Sequence, residues 1–227
     1  MREIVFDTET TGIDPRSGDR MVEIGCIEIV NRVPTGRTFH ASFNPDCAMP
    51  LEAERIHGLT DTFLADKKRF HEHALELIDF LGDCPLVAHN AQFDFGFLNL
   101  EFGICGHPHV DHSRMIDTLA LARRRHPGAK HSLDALCSRY GIDRSHRVLH
   151  GALLDAELLA QVYVELTGGR QIGLGLAITS AAKLAVSSVF QPRARTFRAP
   201  RPHAPSAAEL ARHKAFVEAL DSPLWMQ

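Results

Sequence analysis

The chain has 227 residues, of which 44% are hydrophobic and 23% charged, a composition that fits one well-buried domain with an appendage and is short for two full domains. Its five cysteines, odd in number and without a C-x-x-C pair, speak against a disulfide framework and for reduced thiols. The net charge of −3 excludes a uniformly basic nucleic-acid binder, but it is unevenly spread: residues 167–227 hold eight Lys/Arg against three Asp/Glu, and the rest of the chain is acidic.

A site that gathers carboxylates around divalent ions needs surplus acid, and the ions invert the local sign. Such a chain has weak affinity for DNA unless a partner supplies more. The first residues enter an apolar strand broken at once by acids, with no signal-peptide core, and no run approaches a membrane span. A cytoplasmic location is the expectation.

Residues 3–9 read as a strand, and Val22–Val30 as a second, β-branched and bounded by turn residues. Arg37–Phe43 makes a third, ending at Asn44-Pro45. Residues 70–82 place Phe70, Ala74, Leu77, Ile78 and Leu81 at helical spacing. Leu86-Val87-Ala88 is a short buried strand, followed by a helix opening near Ala91 that Phe93, Phe97 and Leu98 anchor in the core. Helical stretches follow around 115–125 and 131–140, and an apolar helix over 152–166 stops at Gly168-Gly169. Strands in meander order and then alternating with helices predict an α/β domain with a mixed sheet.

Beyond it, residues 191–206 set four prolines among arginines and read as an extended, mobile linker. Residues 206–221 return to helix, with Ser206 and Glu209 as a capping box and Leu210, Val217, Leu220 and Leu224 near one face. So short a helix cannot bury that face alone and is expected to dock on another surface.

Three places carry chemistry. Asp7 and Glu9, two apart on a strand, leave the same face, where two carboxylates repel unless a cation lies between them. The plainer reading is an edge strand with solvated acids. Asp94 falls in the first turn of a helix, where α/β sheets gather ligands, although an acid at a helix N-terminus needs no metal. His150 lies in a loop and Asp155 among the leucines of the next helix, where a buried acid needs a partner or a metal. A lone loop histidine is more often a cap.

Together these make an ordered series, D-x-E, then D, then H-x4-D. The segments Phe6–Gly12, Arg55–Thr60, His89–Phe95, Leu133–Cys137, His150–Ala160 and Thr167–Gln171 resemble the histidine-bearing DEDD-type exonucleases, and within them the proofreading (epsilon) subunits of bacterial DNA polymerase III. The resemblance spans residues 2–171 and misses no catalytic position. It implies a ribonuclease H-like fold, a mixed five-stranded sheet flanked by helices with a flexible C-terminal tail. It makes Asp7, Glu9, Asp94 and Asp155 the metal-site carboxylates for two Mg²⁺ or Mn²⁺ ions, and His150 the general base. Glu52 and His57 match positions that touch the terminal nucleotide, and Thr10 and Asn90 are further substrate candidates beside Asp7, Glu9 and Asp155. The basic stretch Arg123–Arg125, Lys130, Arg139, Arg144 and Arg147 offers phosphate contacts or merely a solvated face.

The implied activity is 3′→5′ trimming of DNA ends by a subunit of the replicative polymerase. The implied organisation is an exonuclease domain over 1–169, a clamp-binding-like peptide and linker over 170–205, and a tethering helix over 206–227. Gln171, Leu174 and Leu176 resemble a sliding-clamp peptide, and Trp225 is an anchor for the polymerase alpha subunit. A small accessory subunit is a further expected partner, and a membrane is not. The competing readings are an RNA-trimming exonuclease of the same superfamily and an idle scaffold.

Overall fold

The run Arg2–Thr10 (β1) is buried along both faces, as a strand in the middle of a sheet must be. In the computed structural model, which describes residues 1–147, 149–169 and 204–220, β1 is the centre of a five-stranded sheet. The other strands are Met21–Val30 (β2), Val33–Ser42 (β3), Leu86–Ala88 (β4) and Met115–Asp117 (β5), in the order β3-β2-β1-β4-β5. The first three pair antiparallel, whereas β4 joins β1 and β5 joins β4 in parallel. The mixed sheet and its flanking helices match the expected fold.

Alternation along β1 sorts the helices into two layers. Ile4 and Phe6 join the cluster containing Phe70, Ala74 and Leu77 of helix Phe70–Leu81 (α3) and Phe95, Leu98 and Phe102 of helix Ala91–Ile104 (α4). Val5 packs with Ala156, Leu159, Ala160 and Tyr163 of helix Ala152–Leu166 (α7), and Glu3 on the same face accepts a hydrogen bond from the Tyr163 hydroxyl. Ile4, Val5 and Phe6 are wholly buried, each contributing roughly 1.5–3 kcal/mol. The odd positions of β1 therefore face α7, and Asp7 and Glu9 inherit that direction. The solvated edge-strand reading of these two acids falls with the central place of β1.

Helices Thr118–Arg125 (α5) and Leu133–Tyr140 (α6) pack against the outer side of α7 through Ala122, Leu136, Cys137 and Leu158. Two short helices, Leu51–His57 (α1) and Asp61–Ala65 (α2), cover Val22 through Ala53 and Leu64. Neither had a sequence signal beyond the Arg55–Thr60 motif.

Two boundaries and one side chain depart from the sequence expectation. Residues 115–117 are strand rather than the start of a helix, because they pair with Leu86–Ala88, and Asp117 then caps α5 through Leu119 N–H. A three-residue strand has no period to reveal this. Strand β3 begins at Val33, since Asn31 and Arg32 both take positive φ and close a two-residue hairpin that pairs Val30 with Val33. Phe93 is only half-buried, whereas Phe95 is wholly buried in the core.

Helix Ala207–Glu218 (α8) belongs to a second unit. Its capping box is formed, Ser206 Oγ accepting from Glu209 N–H, and Leu210 and Phe216 are exposed. The clamp-peptide residues Gln171, Leu174 and Leu176, the linker over 191–203, and Leu224 and Trp225 lie outside the described residues. Among the described residues no helix is long and apolar enough to cross a membrane. All five cysteines are free.

Candidate active site

The parallel pairing of β1 with β4 brings the end of β1 beside the start of α4, and the N-terminal turns of α7 arrive over the same point. Asp94 is one turn into α4 and Asp155 one turn into α7. The approach of α7 is possible because Asp7 pairs across the sheet with Gly25, where a Cβ would stand 2.3 Å from the Leu153 backbone. Glu23 on β2 completes the junction by accepting from the Ala152 N–H at 2.8 Å at the start of α7. Neither Gly25 nor Glu23 was singled out in the sequence, since what each meets lies about 130 residues away.

Asp7, Glu9, Asp94, His150 and Asp155 thus line one cavity of about 270 Å³, with Thr8, His89, Phe93, Asp134 and Arg147. Glu9, His150 and Asp155 each offer a ligand atom within 4.8 Å of the others. Asp94 and Asp155 are 2% and 3% exposed, whereas the His150 ring is about half open to solvent. His150 Nδ1 lies 3.3 Å from Asp155 Oδ2, and the His150 N–H donates to the Ile56 carbonyl of α1. Thr8, on the opposite face of β1 from Asp7, donates its hydroxyl to Asp94 at 2.8 Å.

Burial first, and the crowding of like charges second, shows in the titration of these groups. Burial, then the charges of Asp94 and Glu9, raises the Asp7 carboxyl well above its ordinary range. Burial and the charge of Asp155 push Glu9 up to about 8. Burial takes Asp94 to about 7 against the opposing hydrogen bond from Thr8.

A second cavity, of about 440 Å³, shares Thr8, Glu9 and Phe93 with the first and is also lined by Thr10, Glu52, Ile56 and His57. His57 is buried, which lowers its pKa, and its Nδ1 accepts from the Leu59 N–H. Asn90 lines neither cavity. It sits left-handed (φ 64) before α4, its N–H held by Asp117.

Among the described residues, two buried side-chain polar atoms lack a partner, Glu9 Oε1 and His57 Nε2. Both belong to residues lining this second cavity. Buried polar atoms are seldom left unpaired without a functional reason. The four carboxylates offer hard oxygen donors suited to Mg²⁺ or Mn²⁺, and the mutual repulsion of the acids is what a divalent cation would relieve. The residues fit such an ion.

Arg147 was grouped in the sequence with surface arginines. Here it enters the cavity and forks onto Asp155, and its only sequence signal is its place three residues before His150.

Comparison with known proteins agrees with the geometry. The exonuclease family model matches residues 4–163. The DNA polymerase III subunit epsilon of Rickettsia felis is 48% identical over 225 residues, 97% of each chain. That of Escherichia coli is 47% identical over 176 residues, 74% of this chain and 72% of the relative. Among solved structures, exonuclease X in complex with 5′-overhanging duplex DNA superposes with a TM-score of 0.57 at 26% identity, over 73% of this chain and 90% of the other. The nuclease domain of 3′hExo, a DEDDh family member, shares the fold with a TM-score of 0.63 at 16% identity, over 73% of this chain and 91% of the other. The chain belongs to the exonuclease family and, within it, to the DNA polymerase III epsilon subunits, and is a 3′→5′ exonuclease.

Proposed function

We propose that this chain removes nucleotides from DNA 3′ ends, so correcting errors of the polymerase it accompanies, with Asp7, Glu9, Asp94 and Asp155 holding two Mg²⁺ or Mn²⁺ ions. The observation that carries the reading is the convergence of these four acids and His150 on one cavity although they come from three segments of the chain. When bound, the ions supply charge neutralisation at the scissile phosphate and acidify water.

The protein's own residues do the rest. His150, half-exposed at the cavity mouth, accepts the proton of the attacking water, and Asp155 Oδ2, 3.3 Å from its Nδ1, helps to orient the ring. Thr8 fixes the rotamer of Asp94. Glu52, His57 and Thr10 line the cavity in which the terminal nucleotide sits, and the unpartnered His57 Nε2 offers it a hydrogen bond. A mismatched end frays at lower cost and so reaches this cavity more readily, which favours errors without reading the base.

Release of 5′-mononucleotides follows from hydrolysis on the 5′ side of the terminal phosphate. Residues 206–227 bind the polymerase alpha subunit, Trp225 included, and Gln171, Leu174 and Leu176 bind the sliding clamp, in a cytoplasmic assembly. The exposed Leu210 and Phe216 of α8 support the first of these. Tethering raises the effective concentration at the DNA end and offsets the acidic surface.

The test is 5′-labelled single-stranded DNA with Mg²⁺, with chelator, and with Asp7→Asn. A ladder shortening from the 3′ end, lost with chelator and in the variant, is the expected result. RNA cut faster than DNA favours the RNA-trimming alternative, and no cutting of either sinks the enzyme reading in favour of a scaffold.

A further inference from the structure

Asp155 differs from the other site acids in already having a cation. Arg147 Nε donates to its Oδ1 and Nη2 to its Oδ2 at 2.7 Å, a two-pronged contact made at 4% exposure of the carboxylate and 9% of the arginine. The same Nη2 lies 2.8 Å from His150 Nδ1, and Nη1 reaches Asp134 Oδ1 at 2.9 Å. One guanidinium thus holds a carboxylate read above as metal-binding together with the histidine read as the general base.

An arginine cannot shed its charge, so it cannot become a neutral bystander when a second cation arrives. The lone pairs it uses, on both Asp155 oxygens and on the His150 ring, are among those that Glu9, His150 and Asp155 would jointly offer an ion. Like charges drawing on one carboxylate repel. Arg147 stands in the connection between α6 and α7, outside any helix or strand, so its side chain can swing without unwinding an element. Asp134, about half-exposed on α6 and paired with Arg144 as well, gives it somewhere to remain.

We propose that Arg147 is a built-in competitor of the divalent metal: it holds Asp155 and His150 in place and surrenders the Asp155 fork, staying on Asp134, as an ion enters. The inference rests on the metal-site reading given above. It makes Arg147 a positioning residue that also sets how much free metal the site requires.

Calorimetric titration of the full chain with Mn²⁺, in alkaline buffer where the carboxylates are ionised, tests it against Arg147→Gln. Loss of the competitor is expected to tighten binding by about tenfold, a typical coupling between linked ligands. The metal-free melting temperature should fall while the rise on adding Mn²⁺ grows. If instead Arg147 braces Asp155 with the metal in place, binding weakens in Arg147→Gln, and equal or weaker binding overturns the proposal. Wild type that takes up no metal would overturn the metal-site reading itself, a separate failure.

Should the glutamine variant not fold, wild type with Arg147→Lys as its assignment control decides the matter. The Arg147 Nε–H resonance, assigned by its loss in Arg147→Lys, should move on titration with Mg²⁺. A resonance that stays fixed through saturation ends the idea.

Discussion

Two groups of buried acids in this molecule are handled in opposite ways. Glu101, 1% exposed on α4, is gripped by the forked guanidinium of Arg20 with both contacts at 2.7 Å and accepts the Met21 N–H as well. Glu28 is shared by Arg2, Arg37 and Thr35, and the first of these draws its carboxyl below the usual range. At the cavity, by contrast, Asp7, Glu9, Asp94 and Asp155 have one arginine and one threonine among them, and the first three are pushed upward. Acids that hold the fold together arrive with their counter-ions, and acids left short of charge mark where an external cation is drawn in.

The sharpest way to break this contrast is Asp7→Asn. It should abolish the metal-dependent ladder, a loss beyond about 10⁴-fold given the non-additivity of groups that act as a unit. Yet it should raise the metal-free melting temperature, because a buried carboxyl set among other acids is replaced by a group that cannot ionise. A lowered melting temperature would mean that Asp7 is a structural acid after all.

His150→Ala separates proton transfer from metal holding. A rate loss of about 10²–10⁴ is expected for removing a general base, with most Mn²⁺ affinity retained by calorimetry. Loss of affinity as large as that of Asp7→Asn would make the histidine chiefly a ligand.

A third comparison uses pH. The folded Glu9 carboxyl holds its proton up to about 8 against an unfolded value of 4.5, so the folded state binds more protons between those limits. Its contribution to metal-free stability is full below 4.5 and is lost as pH rises through about 8. Glu9→Gln has no such proton to lose. Its advantage over wild type in urea unfolding should therefore grow across that window to a few kcal/mol, roughly, and shrink when Mg²⁺ is added. A difference that does not vary with pH would contradict the uncompensated character of Glu9.

On the paired side, Glu101→Ala strands Arg20 and should cost about 3 kcal/mol in urea unfolding. Exonuclease rate at low temperature should be little changed. A collapse in rate with stability intact would place Glu101 in the active site rather than in the scaffold.

Much of the site was legible in sequence because strand and helix periodicities act locally. The two-residue spacing sends Asp7 and Glu9 to one face, Asp94 follows an apolar strand directly, and Asp155 interrupts a leucine-rich helix. The 115–117 strand was not legible, since three residues carry no period and the strand exists only through its partner. Nor were Gly25 and Glu23, which matter for the close passage of α7.

By itself, then, the amino-acid order determined the longer elements, the family and which side chains are too polar for their surroundings. The elements and the misplaced polar groups follow from neighbours within a turn or two of chain, and the family from the order of several such local motifs. Tertiary structure alone decided that β1 is central, that α7 crosses it at Gly25, and that one arginine of a basic stretch turns inward to Asp155 while Arg144 pairs with Asp134 nearer the surface. Those outcomes depend on pairings across many residues, where the field and shape at a position are set by segments its own neighbours do not encode.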